Sequence, residues 1–591
     1  MVGPRGVKPM ADIRAPGVYY EPLERRIPML ALGETGVPVF IGATRRGPLD
    51  RPVRINSHAR FAEIFGEPLP TGYLGYAVRG FFDNEGTHCY ILRVARMEGD
   101  PDEECAETAE KTLQNIDGRP AMRISAQDPG SWGNELNIRI SASTEIRTFL
   151  TQSGDAGSDL IHVKSSHGIS VGTLLKIHNE DHEQWVYVRG ADRRALYLAD
   201  PLVHPFDKAA PSYVTAYAFD LTVWDQEKKE RFDRLSLMSQ SPRFAPRVIN
   251  DESRFIRCHD LRPRSNAQAS QLVEVDAVLL EGGADGLLNL GPEDFIGHDR
   301  GPDDRRGLMA LAEFEGIDLV AVPDLMSTFE QSKRFRLRDV EVVQEAVVSL
   351  CENHLNSFAI LDVPPGGDFD EVLRWRRQFD SAHAALYFPW VTLLDGNQRV
   401  SVPPSGHLAG LFSTSDREVG VHKAPANMVV QGIVDLDVIL QDTHLALLNH
   451  AGVNCIRAFG PRGLRVWGAR TMSSDTSWRF VNVRRTVSAI AAAIERGMHW
   501  VVFEPNKPSL WKRIIANISI FLSELWRLGL LTGASPDEAF FVKCDEETNP
   551  QADIDKGRIS TSIGLAVARP VEFIIFRVSQ RLEDQGQTGE E

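Results

Sequence analysis

A chain of 591 residues exceeds what one hydrophobic core can organise and predicts about three or four domains. Its 42% hydrophobic and 25% charged residues have the balance of a soluble globular protein. The formal charge of −16 argues against nucleic acid as the main partner, because phosphate binding needs clustered Lys and Arg to displace counterions.

In chain order, residues 1–14 mix Pro, Gly and charge without the apolar run of a secretory signal, and read as a mobile lead-in. Val18, Tyr19 and Tyr20 are strand formers, but Pro16, Pro22 and Pro28 confine them to a sheet edge or an extended arm. Residues 98–114 are acidic with a helical pattern, predicting a connector. Between 160 and 217, short runs such as Trp185-Val186-Tyr187-Val188 alternate with Gly, Asp and Asn turns, predicting a small antiparallel β domain inserted into a larger fold.

From 273 onward strands and helices alternate. Helices are expected at 307–314, 340–355 and 369–382, and strands at 317–322, 357–363 and 384–387, implying a mainly parallel sheet covered on both faces. Residues 506–529 predict an amphipathic helix with Pro508 in its first turn, its core face carrying Leu510, Ile514, Ile518, Phe521, Leu525 and Leu528. A β-rich segment, 567–578, precedes a polar tail read as disordered. The six cysteines are dispersed, without a C-x-x-C pair, and fit buried free thiols of a reducing cytosol. No uninterrupted apolar run of 18 residues occurs, so a cytoplasmic protein without membrane insertion of its own is expected.

An α/β region invites a search for catalysis. Walker A, G-x-G-x-x-G and H-E-x-x-H patterns are absent from the sequence, and no G-x-S-x-G nucleophile elbow is assigned. The Gly282 to Gly286 turn imitates a phosphate loop, but Asp285 would repel phosphate and no Lys-Ser/Thr follows. Asp324, His354 and Ser405 can be nominated as a hydrolase triad, although nothing in their context places them together. His178, Asn179, Glu180, Asp181, His182 and Glu183 concentrate metal-ligating types, yet lie between two strand-like runs where a solvated hairpin loop is expected. No catalytic, cofactor or metal site is assigned.

Separated motifs carry a resemblance. Gly452-Val453-Asn454 is followed by Trp467-Gly468-Ala469-Arg470-Thr471, then Trp478 with Asn482, Arg484 and Arg485, then Val502-Phe503-Glu504-Pro505-Asn506. Phe541-Val542-Lys543-Cys544-Asp545, Thr548-Asn549 and Pro570-Val571-Glu572-Phe573-Ile574 close the series. Near the start, Pro16 to Glu21, Val37 to Thr44 and Cys89 to Val94, with short helices at 57–65 and 75–82, belong to the same pattern, as does Asp128-Pro129-Gly130-Ser131-Trp132-Gly133-Asn134. In order and spacing this chain resembles contractile tail sheath proteins of phages and phage-derived injection systems.

The resemblance implies a multidomain α/β and α+β fold, with an N-terminal arm (1–30), an N-terminal part of the sheath core (31–141) and an inserted, outward-facing β domain (142–272). A subtilisin-like α/β domain without a triad (273–426), a C-terminal core near an inner tube (427–565) and a C-terminal arm with its tail (566–591) follow. It implies a non-enzymatic helical homopolymer that contracts around a tube protein, with baseplate, cap and paralogous sheath partners. Arm contacts are expected at Val18, Tyr19, Tyr20, Val571, Phe573, Ile574, Ile575 and Phe576, where β-augmentation would join neighbours. Tube-facing residues are expected among Lys507, Lys512, Arg513, Asp545 and Glu546, and a structural signature at Trp467, Arg470, Trp478 and Arg484. The alternatives are a hydrolase using the α/β domain and a non-contracting sheath-like cap or adaptor.

Overall fold

The computed structural model describes residues 30–99, 103–143, 146–208, 211–262, 271–332 and 335–572, the side chains of 354 and 355 excepted. The chain divides into two compact units, Gly33–Ala489 with Val567–Glu591, and Met1–Leu32 with Ile490–Ala566.

The larger unit is organised by an eight-stranded sheet. Its inner strands Cys89–Arg93, Pro38–Gly42, Leu319–Ala321, Phe358–Asp362, Ala384–Phe388 and Val453–Ala458 run parallel in that order. Antiparallel strands Val53–Ile55 and Leu464–Trp467 close the two edges. Because side chains alternate across a strand, a sheet buried on both faces feeds two cores. Val39, Ile41, Val320, Ala359, Leu361 and Leu386 enter one, with Val340, Val343 and Val347 of the helix Leu337–Leu350. Phe40, Leu319, Phe358, Ile360 and Tyr387 enter the other, with Phe81 of the helix Leu74–Asp83 and Phe412 of the helix Ser405–Glu418. These two helices approach closely through small residues: a Cβ on Gly406 would lie 2.3 Å from the Ala77 Cα.

The expected α/β alternation is present with shorter elements. Residues 307–314 give only the 3-10 turn Gly307–Leu311, and the helix expected at 369–382 is Phe369–Arg376. The acidic stretch 98–114 is corrected: its described residues contain no helix and end in the strand Glu110–Gln114, which pairs with Pro120–Ala126 and buries Leu113. Pairing with a neighbouring strand overrode a charge pattern that suits an isolated helix.

Residues 142–272 contribute to two β modules. Strands Ile146–Phe149, Tyr213–Tyr217, Leu174–His178, Glu183–Asp192, Ala195–Leu198 and Leu160–His162 form a six-stranded antiparallel sheet with its own core. A bridge between Leu150 and Val163 brings its two edges together. The remainder joins flanking sequence: Phe219–Trp224 pairs with Asn137–Ala142 and Lys229–Leu235, and Ile256–Asp260 pairs with Pro120–Ala126, over a shared core. Two distant motifs interlock there, since Asp285 accepts both the N–H and the hydroxyl of Ser131 at 2.7 Å.

In the smaller unit the helix Pro508–Arg527 buries Leu510, Ile514, Ile518, Phe521 and Leu525 as the spacing predicts. Leu528 lies past the helix end and is 64% exposed, which corrects its expected core position. Among the described residues no helix is long and apolar enough to cross a membrane. Five of the six cysteines are buried, Cys105 partly, and burial pushes the Cys351 and Cys455 thiols up to about 12, which keeps them unreactive.

Candidate assembly site

In the larger unit, the roots of both terminal segments are tied to the first turns of the helix Val481–Gly497. Arg485 is 3% exposed and donates through Nη1 and Nη2 to the Asp416 carboxylate at 2.9 and 2.6 Å, and through Nη2 to Asp318 at 2.6 Å. Burial alone would disfavour its charge, but the two carboxylates hold it above the ordinary arginine range. Asp318 also accepts the backbone N–H groups of Gly36 at 3.0 Å and Val37 at 2.6 Å. One arginine therefore fixes the chain just before its first strand. Three residues earlier, on the same helical face, the buried Asn482 amide donates to Ala568 O at 2.9 Å and to His422 O at 2.7 Å.

The C-terminal root has a second tie. Arg470 donates through Nε to Glu572 at 2.9 Å and through Nη2 at 2.5 Å, while its Nη1 donates to Asn449 O at 2.9 Å. Asn454 orients this arginine by exchanging hydrogen bonds with its backbone, accepting Arg470 N–H at 2.7 Å and donating to Arg470 O at 2.8 Å. The other signature residues support the same region. The Arg484 guanidinium stands 4.4 Å over the Trp478 ring, and Trp467 packs on Phe459 with ring centroids 4.6 Å apart. Sequence reasoning named both Arg484 and Arg485 among the motif residues but placed only Arg484 in the structural signature. The usable signal was that a buried arginine requires acidic partners, but Asp318 and Asp416 are 167 and 69 residues away.

Of the expected arm residues, Val571 is described and 79% exposed; Val18, Tyr19, Tyr20, Phe573, Ile574, Ile575 and Phe576 lie outside the described residues. The smaller unit carries a two-stranded antiparallel ribbon, Phe540–Lys543 with Ser562–Leu565. Among the described residues no further strand pairs with either outer edge, and Phe541 is exposed. A two-stranded ribbon with open edges is a template for added strands. Lys507, Lys512 and Glu546 are exposed on this unit. Arg513 is engaged by Glu504 at 3.4 Å and by the Trp500 ring, and Asp545 accepts the N–H groups of Glu547 and Thr548 in its own loop.

The nominated catalytic residues fall into separate groups. Asp324 is buried and accepts N–H groups of Ala43, Tyr73 and Leu74 at 2.8, 2.5 and 2.8 Å, anchoring the start of the helix Leu74–Asp83. Ser405 begins a helix and donates its N–H to Asp362 at 3.0 Å, while the His354 side chain lies outside the described residues. In the 178–183 hairpin the candidate ligands diverge: His182 stacks on His204, His178 on Tyr213, and Glu183 pairs with Lys176 at 2.8 Å.

Comparison with known proteins bears on this arrangement. The family model for the phage tail sheath protein central domain matches residues 312–472, and that for the phage tail sheath C-terminal domain matches 473–581. A prophage major tail sheath protein of Pseudomonas aeruginosa is 28% identical over 283 residues, 46% of this chain and 70% of that protein. The tail sheath protein of Escherichia phage P2 is 25% identical over 257 residues, covering 42% of this chain and 62% of the relative. Among solved structures, the helical sheath of the anti-feeding prophage in its contracted state superposes with a TM-score of 0.52 at 21% identity, covering 96% of this chain and 99% of that one. A sheath tail protein of Listeria innocua gives a TM-score of 0.53 at 13% identity, over 91% and 96% of the two chains.

Proposed function

The chain belongs to the phage tail sheath family and is a structural sheath protein, and from that premise we propose that its terminal segments are exchanged between copies to build a contractile helical tube. The observation that carries the proposal is the ribbon Phe540–Lys543 with Ser562–Leu565, whose outer edges are open, in a chain whose two ends are anchored at their roots. Segments around Val18, Tyr19 and Tyr20 and around Val571, Phe573, Ile574, Ile575 and Phe576 of neighbouring copies add strands to such ribbons. Main-chain hydrogen bonds supply the affinity and alternating side chains the register.

On this reading the α/β body is the subtilisin-like domain of the family and acts as a rigid block. The unit containing 490–566 faces an inner tube through Lys507, Lys512 and Glu546, with Arg513 and Asp545 shaping that surface. Self-assembly and association with a baseplate follow from the family; tube, cap and paralogous sheath partners are part of the proposal. Contraction requires blocks that change packing while flexible tethers remain joined, a bistable interface rather than a chemical step.

Negative-stain electron microscopy of the purified chain across a concentration series tests this. Striated hollow tubes are expected from the full chain, and dispersed folded monomers from variants lacking residues 1–29 or 573–591. Tubes formed by both truncations would exclude strand exchange.

A further inference from the structure

The seam between the six-stranded sheet and the neighbouring four-stranded sheet holds a cleft of about 430 Å³, within the ~300–1,000 Å³ range of small-molecule pockets. A β-bulge builds one wall. In the antiparallel pair Phe219–Trp224 and Lys229–Leu235, Phe219 faces Leu235 and Leu221 faces Phe232, so Asp233 and Arg234 together oppose Asp220. Bulges of this kind re-aim side chains, and their left-handed position is normally filled by glycine. Here Arg234 occupies it, at φ 55°. Asp220 stabilises the turn, accepting the Arg234 N–H at 2.8 Å and Arg231 Nη2 at 3.0 Å. A strained non-glycine residue of this kind is characteristic of ligand clamps.

The strained backbone puts the Arg234 guanidinium in the cleft wall, where Nη2 donates to Gly168 O at 3.1 Å. Arg243 lines the same cleft, its Nη2 donating to Asp233 O at 2.7 Å. Each guanidinium makes one side-chain hydrogen bond among the described residues, out of five N–H donors. The Asp233 carboxylate is held by Arg231 Nε at 2.5 Å, so the cleft keeps a positive character. Ser170 and Thr173 add hydroxyl groups and Tyr217 an aromatic ring, while the Ser236 hydroxyl donates to Gly172 O and accepts the Met238 N–H, and the Ser241 hydroxyl accepts the Arg243 N–H.

We propose that this cleft binds an acidic sugar residue. The carboxylate lies against Arg234 and Arg243, whose planar forks match it. The sugar hydroxyls meet the Ser170 and Thr173 hydroxyls and the carbonyls of the glycine turns, and the ring's C–H face rests on Tyr217. A bare phosphate shares the charge that the forks recognise but lacks the ring and hydroxyl contacts, and is therefore the weaker ligand. This site is independent of the strand-exchange reading.

The test is saturation-transfer NMR and calorimetric titration of the full chain with D-glucuronate, D-glucose and inorganic phosphate. Glucuronate is expected to bind saturably and at least about tenfold more tightly than glucose or phosphate. Arg243→Ala and Arg234→Gly should each weaken it by about tenfold or more. Arg234→Gly also relieves the left-handed strain, so its melting temperature should hold or rise, separating lost binding from lost fold. Equal binding of glucuronate and glucose, phosphate competing as well as glucuronate, unchanged binding in Arg234→Gly, or no saturation below about 10 mM would each overturn the assignment.

Discussion

Arg485 and Asp318 meet at 2.6 Å, and the same carboxylate receives the backbone N–H groups of Gly36 and Val37. A helix late in the chain thus holds the entrance to its first strand, and the buried Asp416 completes the charge balance. Removing one partner of a buried ion pair strands the others in low dielectric. Arg485→Ala is therefore expected to destabilise the larger unit by about 3–5 kcal/mol, and Arg485→Lys to recover only part because it lacks the fork. Urea denaturation of both variants checks this; a loss below about 1 kcal/mol for Arg485→Ala would contradict it.

The Arg470–Glu572 pair should act locally. Arg470→Ala and Glu572→Gln are each expected to cost about 1–3 kcal/mol and to raise hydrogen exchange in residues 567–572 while leaving 36–42 protected. In assembly assays both should reduce tube yield, because the root that aims the C-terminal segment is loosened. Unchanged exchange at 567–572 would show that this ion pair does not fix the root.

Asp362 gives a pH dependence of defined sign. Burial raises its carboxyl to about 7, with Ser405 acting in the opposite direction. The folded state therefore keeps the proton between about pH 4 and 7 while the unfolded state releases it. The contribution to stability is fully present below about pH 4 and is lost as pH rises through about 7, up to about 4 kcal/mol in all. Asp362→Asn keeps an acceptor for the Ser405 N–H and removes the titration. The stability of the parent chain relative to this variant should fall across that window; a flat difference would be inconsistent with a protonated Asp362.

The helix contact at Gly406 should not tolerate a methyl group. An alanine Cβ there would sit 2.3 Å from the Ala77 Cα and 2.5 Å from its carbonyl oxygen, both backbone atoms that no rotamer change can move. Gly406→Ala is expected to cost at least about 1–3 kcal/mol. Gly367→Ala, whose Cβ would meet nothing nearer than 3.6 Å, should stay within about 0.5 kcal/mol. Thermal melts of the two variants separate overpacking from a general effect of alanine.

The alternation of strands and helices after 273, the two-sided burial of strands such as Phe358–Asp362, and the face of the helix Pro508–Arg527 were all legible in the residue pattern. These are local periodicities, set by which side of an element meets a core. The motifs around Trp467, Arg470 and Trp478 carried the resemblance to tail sheath proteins. Pattern did not reveal that residues 110–114 pair in a hairpin with 120–126, that the helix ends before Leu528 and leaves it exposed, or that 142–272 divide between two modules, the last because strands 219–224 and 256–260 pair with sequence upstream of 142. The same holds for the site. Glu572 finds Arg470 across 102 residues and Asp318 finds Arg485 across 167, and an ion pair closed over such a span leaves no periodic trace in the chain that forms it.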